Sequence, residues 1–192
     1  MIKTTHLNLM IIIKNKRTKT ENILKQYPDA MIFDVTSKGE YKRLSPFYPH
    51  GGIPIPFSGT VTSASVEGIW QGLKVFVNEG IDFSCFTNRT MKDLKRTVRT
   101  HGRCLGHQKG LGSKELLGYL TARREIYVPS YYWMLEHKCK EEIEYFISLL
   151  KEGKTIVFLD YDTNEDIDNP SKPLSHASLI KRYIESQIQT SL

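Results

Sequence analysis

The chain has 192 residues, of which 40% are hydrophobic and 25% are charged, which is the balance of a soluble globular protein rather than of a disordered or membrane-embedded chain. This length fits one domain, or one domain with an extension, that buries roughly two-thirds of the surface of its unfolded state. The net charge of +6 is compatible with a polyanionic or phosphate-bearing ligand but does not identify one.

The apolar run Leu9–Ile13 is too short to span a bilayer, and no small-residue cleavage site follows it. We therefore expect a cytoplasmic protein without membrane contact. The cysteines Cys85, Cys104 and Cys139 lack C-x-x-C spacing, which predicts free thiols instead of disulfides or a zinc site. The sequence predicts neither a metal nor a cofactor.

The N-terminal part of the chain is predicted to form a strand at Leu7–Ile13, a helix at Lys19–Tyr27 and a second strand at Ala30–Val35. We treat residues 1–29 as a strand–helix extension of a main domain that spans residues 30–192. Most later segments have helical periodicity, so the predicted fold class is α+β, a helix-rich single domain with a few short strands.

The segment Tyr41–Ser58 holds four of the eight prolines and two adjacent glycines, which predicts an ordered loop with short extended pieces. In this loop Ser45 offers a hydroxyl, and Phe47 and Tyr48 offer aromatic faces, to a bound nucleotide. The alternative is that the two rings pin the loop to the core.

A central helix is predicted after a short strand at Thr60–Ser63, with Ser63 or Ser65 as its N-cap. One stripe of its side chains is apolar and should face the core: Val66, Trp70, Leu73 and Val77. The second stripe is polar and should line a cleft: Glu67, Gln71 and Lys74. A solvated helix face has the same polar pattern, so this spacing alone does not assign a function.

Basic residues are dense between Thr90 and Thr100, where we expect a helix with Thr90 as its N-cap. Its cations form either a solvated face or a nucleic-acid contact: Lys92, Lys95, Arg96 and Arg99. The glycine-rich segment 102–114 lacks the spacing of a phosphate-binding P-loop. A looser hypothesis places Arg103 near a diphosphate at the start of a helix at Ser113–Tyr127, although a surface loop explains the glycines equally well.

The C-terminal part is predicted to form a helix from Pro129, a helix at Glu141–Lys151, a strand at Thr155–Leu159 and a helix at Leu174–Ile188. The strand leads into an acidic loop at residues 160–168. Its D-x-D-x-N opening is similar to a calcium loop, but the glycine and the final glutamate that such a loop needs are missing.

Two short motifs carry a family resemblance: S-V-E-x-x-x-Q-x-x-K at residues 65–74, and S-x-F-Y-P at residues 45–49. Together they resemble the signature of the NADAR (YbiA-like) family, over about residues 40–185. Members of that family are N-glycosidases that act on ribosyl–base bonds, including ADP-ribose attached to guanine. The sequence departs from the family pattern at Pro46, where Asn is usual, and at Gly68, where His is usual.

The resemblance implies a site around Glu67, as the carboxylate near the anomeric carbon, and Lys74, as a cation or an amine nucleophile. A second carboxylate is expected at Asp160 or Asp162, with Asp166 and Asp168 as alternatives. The expected substrate-binding residues, including Arg103 of the glycine-rich segment, are Ser45, Phe47, Tyr48, Ser65, Gln71, Arg103, Trp133 and His176.

Two members of that set have competing interpretations. Trp133 loosely matches a family tryptophan, although a core aromatic is the better interpretation of this residue. His176 could replace the histidine that is missing at position 68, or could be a solvated histidine near a helix start.

The expected function is therefore that of an N-glycosidase that removes ADP-ribose from a modified guanine base or from a related ADP-ribosylated nucleotide or nucleic acid. The implied partners are an ADP-ribose-like ligand and ADP-ribosylated DNA or RNA. One alternative is a non-catalytic nucleic-acid or nucleotide-binding module, in which Glu67 is structural. Another is a hydrolase of a free riboflavin-pathway intermediate. The sequence leaves the released base and the oligomeric state open.

Overall fold

The structure, a computed structural model, describes residues 10–190, so the start of the predicted first strand, residues 7–9, lies outside the described residues. It is an α+β fold, a helix-rich single domain with a few short strands, as the sequence predicted. The strands are β1 (Ile11–Asn15), β2 (Ala30–Asp34), β3 (Ile53–Pro54), β4 (Thr62–Ser63), β5 (Lys74–Phe76), β6 (Cys104–Gln108), β7 (Leu116–Leu117) and β8 (Thr155–Asp160). The α-helices are α1 (Thr20–Gln26), α2 (Val66–Gly72), α3 (Phe83–Thr87), α4 (Val98–His101), α5 (Tyr119–Ala122), α6 (Val128–Lys138), α7 (Lys140–Lys151) and α8 (His176–Thr190).

A three-stranded parallel sheet with the order β1-β8-β2 forms the centre of the molecule. The middle strand β8 is an apolar run, and Val157 at its centre pairs with Ile12 on one side and Ile32 on the other. Parallel strands buried on both faces are typically such continuous apolar runs. Because β1 is hydrogen-bonded to β8 and Ile11 lies in the shared core, this N-terminal strand belongs to the same sheet and core as the rest of the domain.

One hydrophobic core joins the sheet to helices α2, α6, α7 and α8. Phe158 of β8 packs against Phe146 of α7 at a ring-centroid distance of 5.0 Å, and Ile69 of α2 is buried in the same cluster. Helix α2, with Glu67, is thus fixed on its apolar side by the shared core. Within residues 10–190, no helix is both long and apolar enough to cross a membrane.

The central helix is shorter than the sequence predicted. It begins at Ser65, whose hydroxyl accepts a hydrogen bond from the Gly68 N–H at 3.0 Å, but it ends at Gly72. Lys74 begins strand β5 and pairs with His107 of β6. The predicted continuation of the apolar stripe to Val77 is wrong, because Val77 follows this strand and is 49% exposed.

The predicted basic helix after Thr90 is also wrong, since only Val98–His101 is helical there. Along residues 94–97, buried and exposed side chains alternate, which is the period of an extended chain and not of a helix. Arg96 is therefore buried, and its guanidinium donates hydrogen bonds to the backbone carbonyls of Gln71, Lys74 and Gly80. The four cations do not form one exposed face.

Helical structure near residue 113 begins later than predicted, at Tyr119. The helix N-terminus that the loose diphosphate hypothesis required is absent at Ser113, and Arg103 is exposed next to strand β6. From Tyr119 the chain stays helical to Lys138, through a π-helical turn at Arg123–Tyr127 that joins α5 to α6. Pro129 lies in the first turn after this wider turn, where its missing N–H does not end the helix.

Gly68 is a position at which the packing of α2 depends on a missing side chain. A Cβ atom there would lie 2.5 Å from the Cys85 carbonyl oxygen and 2.8 Å from Ser63 Oγ. Both are too close, and the backbone oxygen cannot rotate away. The start of α2 therefore packs against the middle of α3 only because residue 68 is glycine.

We predict that Gly68→Ala lowers the free energy of unfolding by about 1–3 kcal/mol, the usual cost of overpacking, despite the better helix propensity of alanine. Urea denaturation measures this change. Gly80→Ala is the matched control, because its Cβ would meet no atom within 4 Å; we expect it to stay within about 0.5 kcal/mol of the wild type. A Gly68→Ala protein as stable as the wild type would contradict this account.

Candidate active site

A cleft of about 860 Å³ lies at the carboxyl ends of β2 and β8, beside α2. In parallel sheets this edge commonly binds ligands, and the volume is typical of a small-molecule site. Its walls come from the loop at 45–47, from α2 and β5, from the segment 91–97, and from residues 160–162 and 173–176. Among the residues that line it are two with carboxyl groups, two with aromatic rings, one amide and one amine: Glu67, Asp162, Trp70, Tyr127, Gln71 and Lys74.

Gln71 joins Glu67 and Lys74 into one hydrogen-bonded chain. The Arg96 backbone N–H donates to Gln71 Oε1 at 3.1 Å, and because a backbone N–H can only donate, this contact fixes the orientation of the Gln71 amide. Gln71 Nε2 then donates to Glu67 Oε1 at 2.7 Å, and Lys74 Nζ donates to Gln71 Oε1 at 2.8 Å. The predicted polar stripe is therefore one connected group on the cleft wall.

Burial moves both ends of this chain toward their neutral forms. It raises the pKa of Glu67, although the Gln71 hydrogen bond and the charge of Lys74 act in the opposite direction. It lowers the pKa of Lys74, and the nearby charges of Arg96 and Lys95 add to that effect while Glu67 opposes it. A buried carboxyl group and a half-buried amine with such pKa shifts are suited to proton transfer and to nucleophilic attack.

Asp160 and His176 form a buried pair that joins the end of β8 to the start of α8. His176 Nδ1 lies 3.0 Å from Asp160 Oδ2, and His176 Nε2 lies 2.9 Å from the Val35 carbonyl oxygen. Since both ring nitrogens face acceptors, the protonated, positively charged form of the imidazole is the one that donates to both. Asp160 also accepts hydrogen bonds from the Ser175 hydroxyl and the backbone N–H groups of Tyr161 and Ala177.

These contacts shift both pKa values in the direction of the charged forms. Burial alone would raise the pKa of Asp160, but the charge of His176 and the hydrogen bonds from its neighbours lower it to about 2. Burial alone would lower the pKa of His176, but Asp160 and the Val35 carbonyl raise it. Because the oxygens of Asp160 are held by these donors, its main role is to position α8 and His176.

Asp162 is the second predicted carboxylate that lines the cleft. It is half-buried, and burial and the charge of Asp160 raise the pKa of Asp162. Lys95 and His176 act electrostatically on both Asp162 and Glu67, which places the two carboxyl groups around the same part of the cleft. Of the predicted acidic residues, Asp162 is thus the better placed to complement Glu67.

Trp70 belongs to the cleft wall as well as to the core, whereas the sequence placed it only in the core. Its ring stacks on His107 with centroids 3.8 Å apart and contacts Tyr127 edge-on at 5.5 Å. The sequence contains a signal for the cleft position of Trp70, because positions 67, 70 and 71 lie on one face of the helix. Among residues 10–190, neither ring nitrogen of the buried His107 has a hydrogen-bond partner. Burial and the charge of Lys74 lower the pKa of His107 to about 3, so its neutral ring supports Trp70 from behind.

Of the other expected substrate-binding residues, Ser45 and Phe47 line the cleft, together with Gln71 and His176. Four do not line it: Tyr48, Ser65, Arg103 and Trp133.

Each of these four has a contact or a position that explains its absence from the cleft. Tyr48 packs on His50 at 4.7 Å, and Trp133 stacks on His137 at 4.3 Å. The Ser65 hydroxyl caps α2, and Arg103 is exposed.

Arg123 is a structural residue of the cleft that the sequence did not indicate. It is buried, and its guanidinium donates to the backbone carbonyls of Ile167, Asn169 and Lys172 at 2.8–3.0 Å. The acidic loop after β8 is thereby held in place beside the cleft. Among residues 10–190, no three or more His, Cys, Asp or Glu side chains are placed to hold a metal ion.

Residues 15–180 match the model of a family of unknown function, DUF6939. The chain belongs to this family. The matched range of this DUF6939 protein contains every residue that lines the cleft, from Thr36 to His176. No curated protein matches the chain.

The Asp160–His176 pair predicts a characteristic dependence of stability on pH. The depressed pKa of Asp160 contributes stability above about pH 4, and about 2 kcal/mol of it should be lost between roughly pH 5 and pH 2. The raised pKa of His176 contributes stability below about pH 6.5 that is lost as the pH rises through the folded-state pKa. The pair therefore stabilises the fold most between about pH 4 and pH 6.5.

We predict that the stability of His176→Gln no longer falls at alkaline pH. Its stability should also fall less steeply at acid pH, because the charge that depresses the pKa of Asp160 is gone. Denaturant titrations of the wild type and the variant from about pH 2 to pH 9 measure the difference. Asp162→Asn serves as the control and should keep both losses. Identical pH profiles for the wild type and His176→Gln would show that the pair is not the source.

Proposed function

We propose that the chain is an N-glycosidase that breaks a ribosyl–base bond, with ADP-ribose attached to guanine, or a related ADP-ribosylated nucleotide or nucleic acid, as its substrate. The observation that carries this proposal is the Glu67–Gln71–Lys74 chain, which presents a buried carboxyl group and a half-buried amine to one cleft. The resemblance of residues 45–49 and 65–74 to the NADAR signature supports the same chemistry.

In the proposed first step, the unprotonated Lys74 amine forms a bond to C1′ of the ribose. The C1′–N bond to the base breaks, its electron pair goes to the base, and protonated Glu67 supplies the proton that the base needs to leave. The ionised Glu67 then accepts a proton from the new C1′–Nζ ammonium group.

In the second step, the Nζ lone pair forms a protonated imine with C1′ while the C1′–O4′ bond breaks, and O4′ takes the proton held by Glu67. Water then adds to C1′ and gives one proton to the ionised Glu67. The C1′–Nζ bond breaks as the proton of the new hydroxyl group moves to Nζ, which releases the open-chain aldehyde and regenerates the amine of Lys74 and the protonated Glu67. Each of these steps requires a carboxyl group and an amine close together. Gln71 holds Glu67 and Lys74 near each other, because it is hydrogen-bonded to both.

The charges and rings around the cleft fit an ADP-ribose-like ligand. Lys95 is exposed, and its Nζ lies 5.9 Å from the centre of the Phe47 ring, so a diphosphate and a planar base have a cation and an aromatic face at the same place. Trp70 adds a second aromatic surface, stacked on the neutral ring of His107.

The departures from the NADAR pattern are compatible with this chemistry. Pro46 accepts a hydrogen bond from the Glu67 backbone N–H at 2.8 Å, and a carbonyl serves this role whatever the side chain at 46. Residue 68 faces the Cys85 carbonyl and has no room for a histidine. His176 places a positive imidazole near Glu67 instead, from a different helix.

We predict that sodium borohydride, added while the protein turns over ADP-ribosylated guanosine, traps a covalent adduct on Lys74, because reduction fixes an imine that otherwise hydrolyses. Peptide mass spectrometry locates the adduct. Lys74→Arg, which keeps the charge but is a poor nucleophile, should give no adduct and little turnover. The exposed Lys114→Arg should behave like the wild type.

Two results would contradict this proposal. The first is turnover by the wild type without a Lys74 adduct, together with an active Lys74→Arg variant, which would exclude an imine intermediate on Lys74. A wild-type protein that binds ADP-ribose but cleaves no ADP-ribosylated nucleoside, RNA or DNA would favour a binding module instead.

A further inference from the structure

Tyr127 lies where the helical backbone is irregular. It is the last residue of the π-helical turn Arg123–Tyr127, which joins α5 to α6, and it lines the cleft. A π turn inserts an extra residue into a helix and changes the direction of the side chains that follow, and such turns are frequent at functional sites. Its position thus differs from that on a regular helix, and its side chain lies on the cleft.

The ring of Tyr127 is held firmly, whereas its hydroxyl is not. The ring lies nearly parallel to Tyr131, with an interplanar angle of 16° and centroids 6.2 Å apart, and contacts Trp70 edge-on. No hydrogen-bond partner for the Tyr127 hydroxyl occurs among residues 10–190. The ring packing therefore fixes a phenol whose donor is free for a ligand.

Two other tyrosines on the same helical stretch have hydroxyl groups that form hydrogen bonds within the protein. Tyr131 Oη donates to the Leu44 carbonyl at 2.6 Å, and Tyr119 Oη accepts from Arg123 at 2.7 Å. The Tyr131 bond ties the helix to residue 44, and the Tyr119 bond joins two residues of the helical stretch itself. Tyr127 makes no such bond, so its hydroxyl has no comparable structural role.

The groups around Tyr127 determine which kind of substrate atom its hydroxyl can bind. Burial and the charges of Glu67 and Asp160 hold the pKa of Tyr127 well above its usual value, so the phenol remains a neutral donor. Glu67 is protonated when the C1′–O4′ bond breaks, whereas Asp160 stays ionised, so an oxygen that gains negative charge there is repelled by Asp160. A fixed donor aimed at that oxygen offsets the repulsion, as in an oxyanion hole.

We propose that Tyr127 is a further catalytic residue, whose hydroxyl donates a hydrogen bond to the ribose oxygen O4′ as the C1′–O4′ bond breaks. This inference rests on the proposed glycosidase function. Tyr127 holds the oxygen while Glu67 delivers the proton, and no proton leaves the phenol.

The test is Tyr127→Phe, which removes the hydroxyl and keeps the ring contacts with Trp70 and Tyr131. With ADP-ribosylated guanosine as substrate, kcat should fall about 100-fold, the usual effect of losing one such donor, with KM and the melting temperature nearly unchanged. The ratio of wild-type to variant kcat should be constant between about pH 6 and pH 9, because the phenol stays protonated.

Tyr131→Phe is the matched control on the same helix. It loses the bond to Leu44, so its melting temperature should fall while its kcat stays near that of the wild type.

Wild-type kcat in Tyr127→Phe, or a loss of kcat that only follows a loss of melting temperature, would overturn the role of Tyr127 and leave the glycosidase proposal intact. A wild-type protein with no glycosidase activity would overturn both.

Discussion

The fixed amide of Gln71 is the contact on which the geometry of the cleft depends. Three parts of the chain meet at this one side chain: α2 through Glu67, β5 through Lys74, and the extended segment 94–97 through the Arg96 N–H. Each partner is buried or half-buried, so an unpaired amide would cost about 1–3 kcal/mol. Gln71 therefore keeps the carboxyl group and the amine at a constant spacing.

A second constraint connects the other wall of the cleft to the sheet. Asp160 ends the central strand β8, and its pair with His176 sets where α8 begins. The same His176 lies near Val35, directly after β2. Because α2, α8 and the sheet share one hydrophobic core, the two walls are held at a constant distance, which is the preorganisation that a catalytic site requires.

The sequence predicted the fold class, the major helices and the grouping of Glu67, Gln71 and Lys74, because helical and strand periods depend on local side-chain spacing. Lys74 reached the cleft for a different reason than expected, since a strand and not the helix carries it there. The helix predicted after Thr90 is wrong because Leu94 and Arg96 are buried and alternate with exposed residues, which is the period of an extended chain. Tyr127 and Arg123 could not be found from the sequence, because a π turn and contacts more than forty residues away define their positions.

The most direct test of the account is the rate at which Glu67→Gln cleaves ADP-ribosylated guanosine. The glutamine is of equal size and can still accept the hydrogen bond from Gln71, so folding and ADP-ribose affinity should be retained. We expect turnover at least about 100-fold slower than in the wild type, because the proton donor and acceptor is gone, and no change in the exposed control Glu141→Gln. Turnover equal to that of the wild type would contradict a catalytic Glu67–Gln71–Lys74 chain.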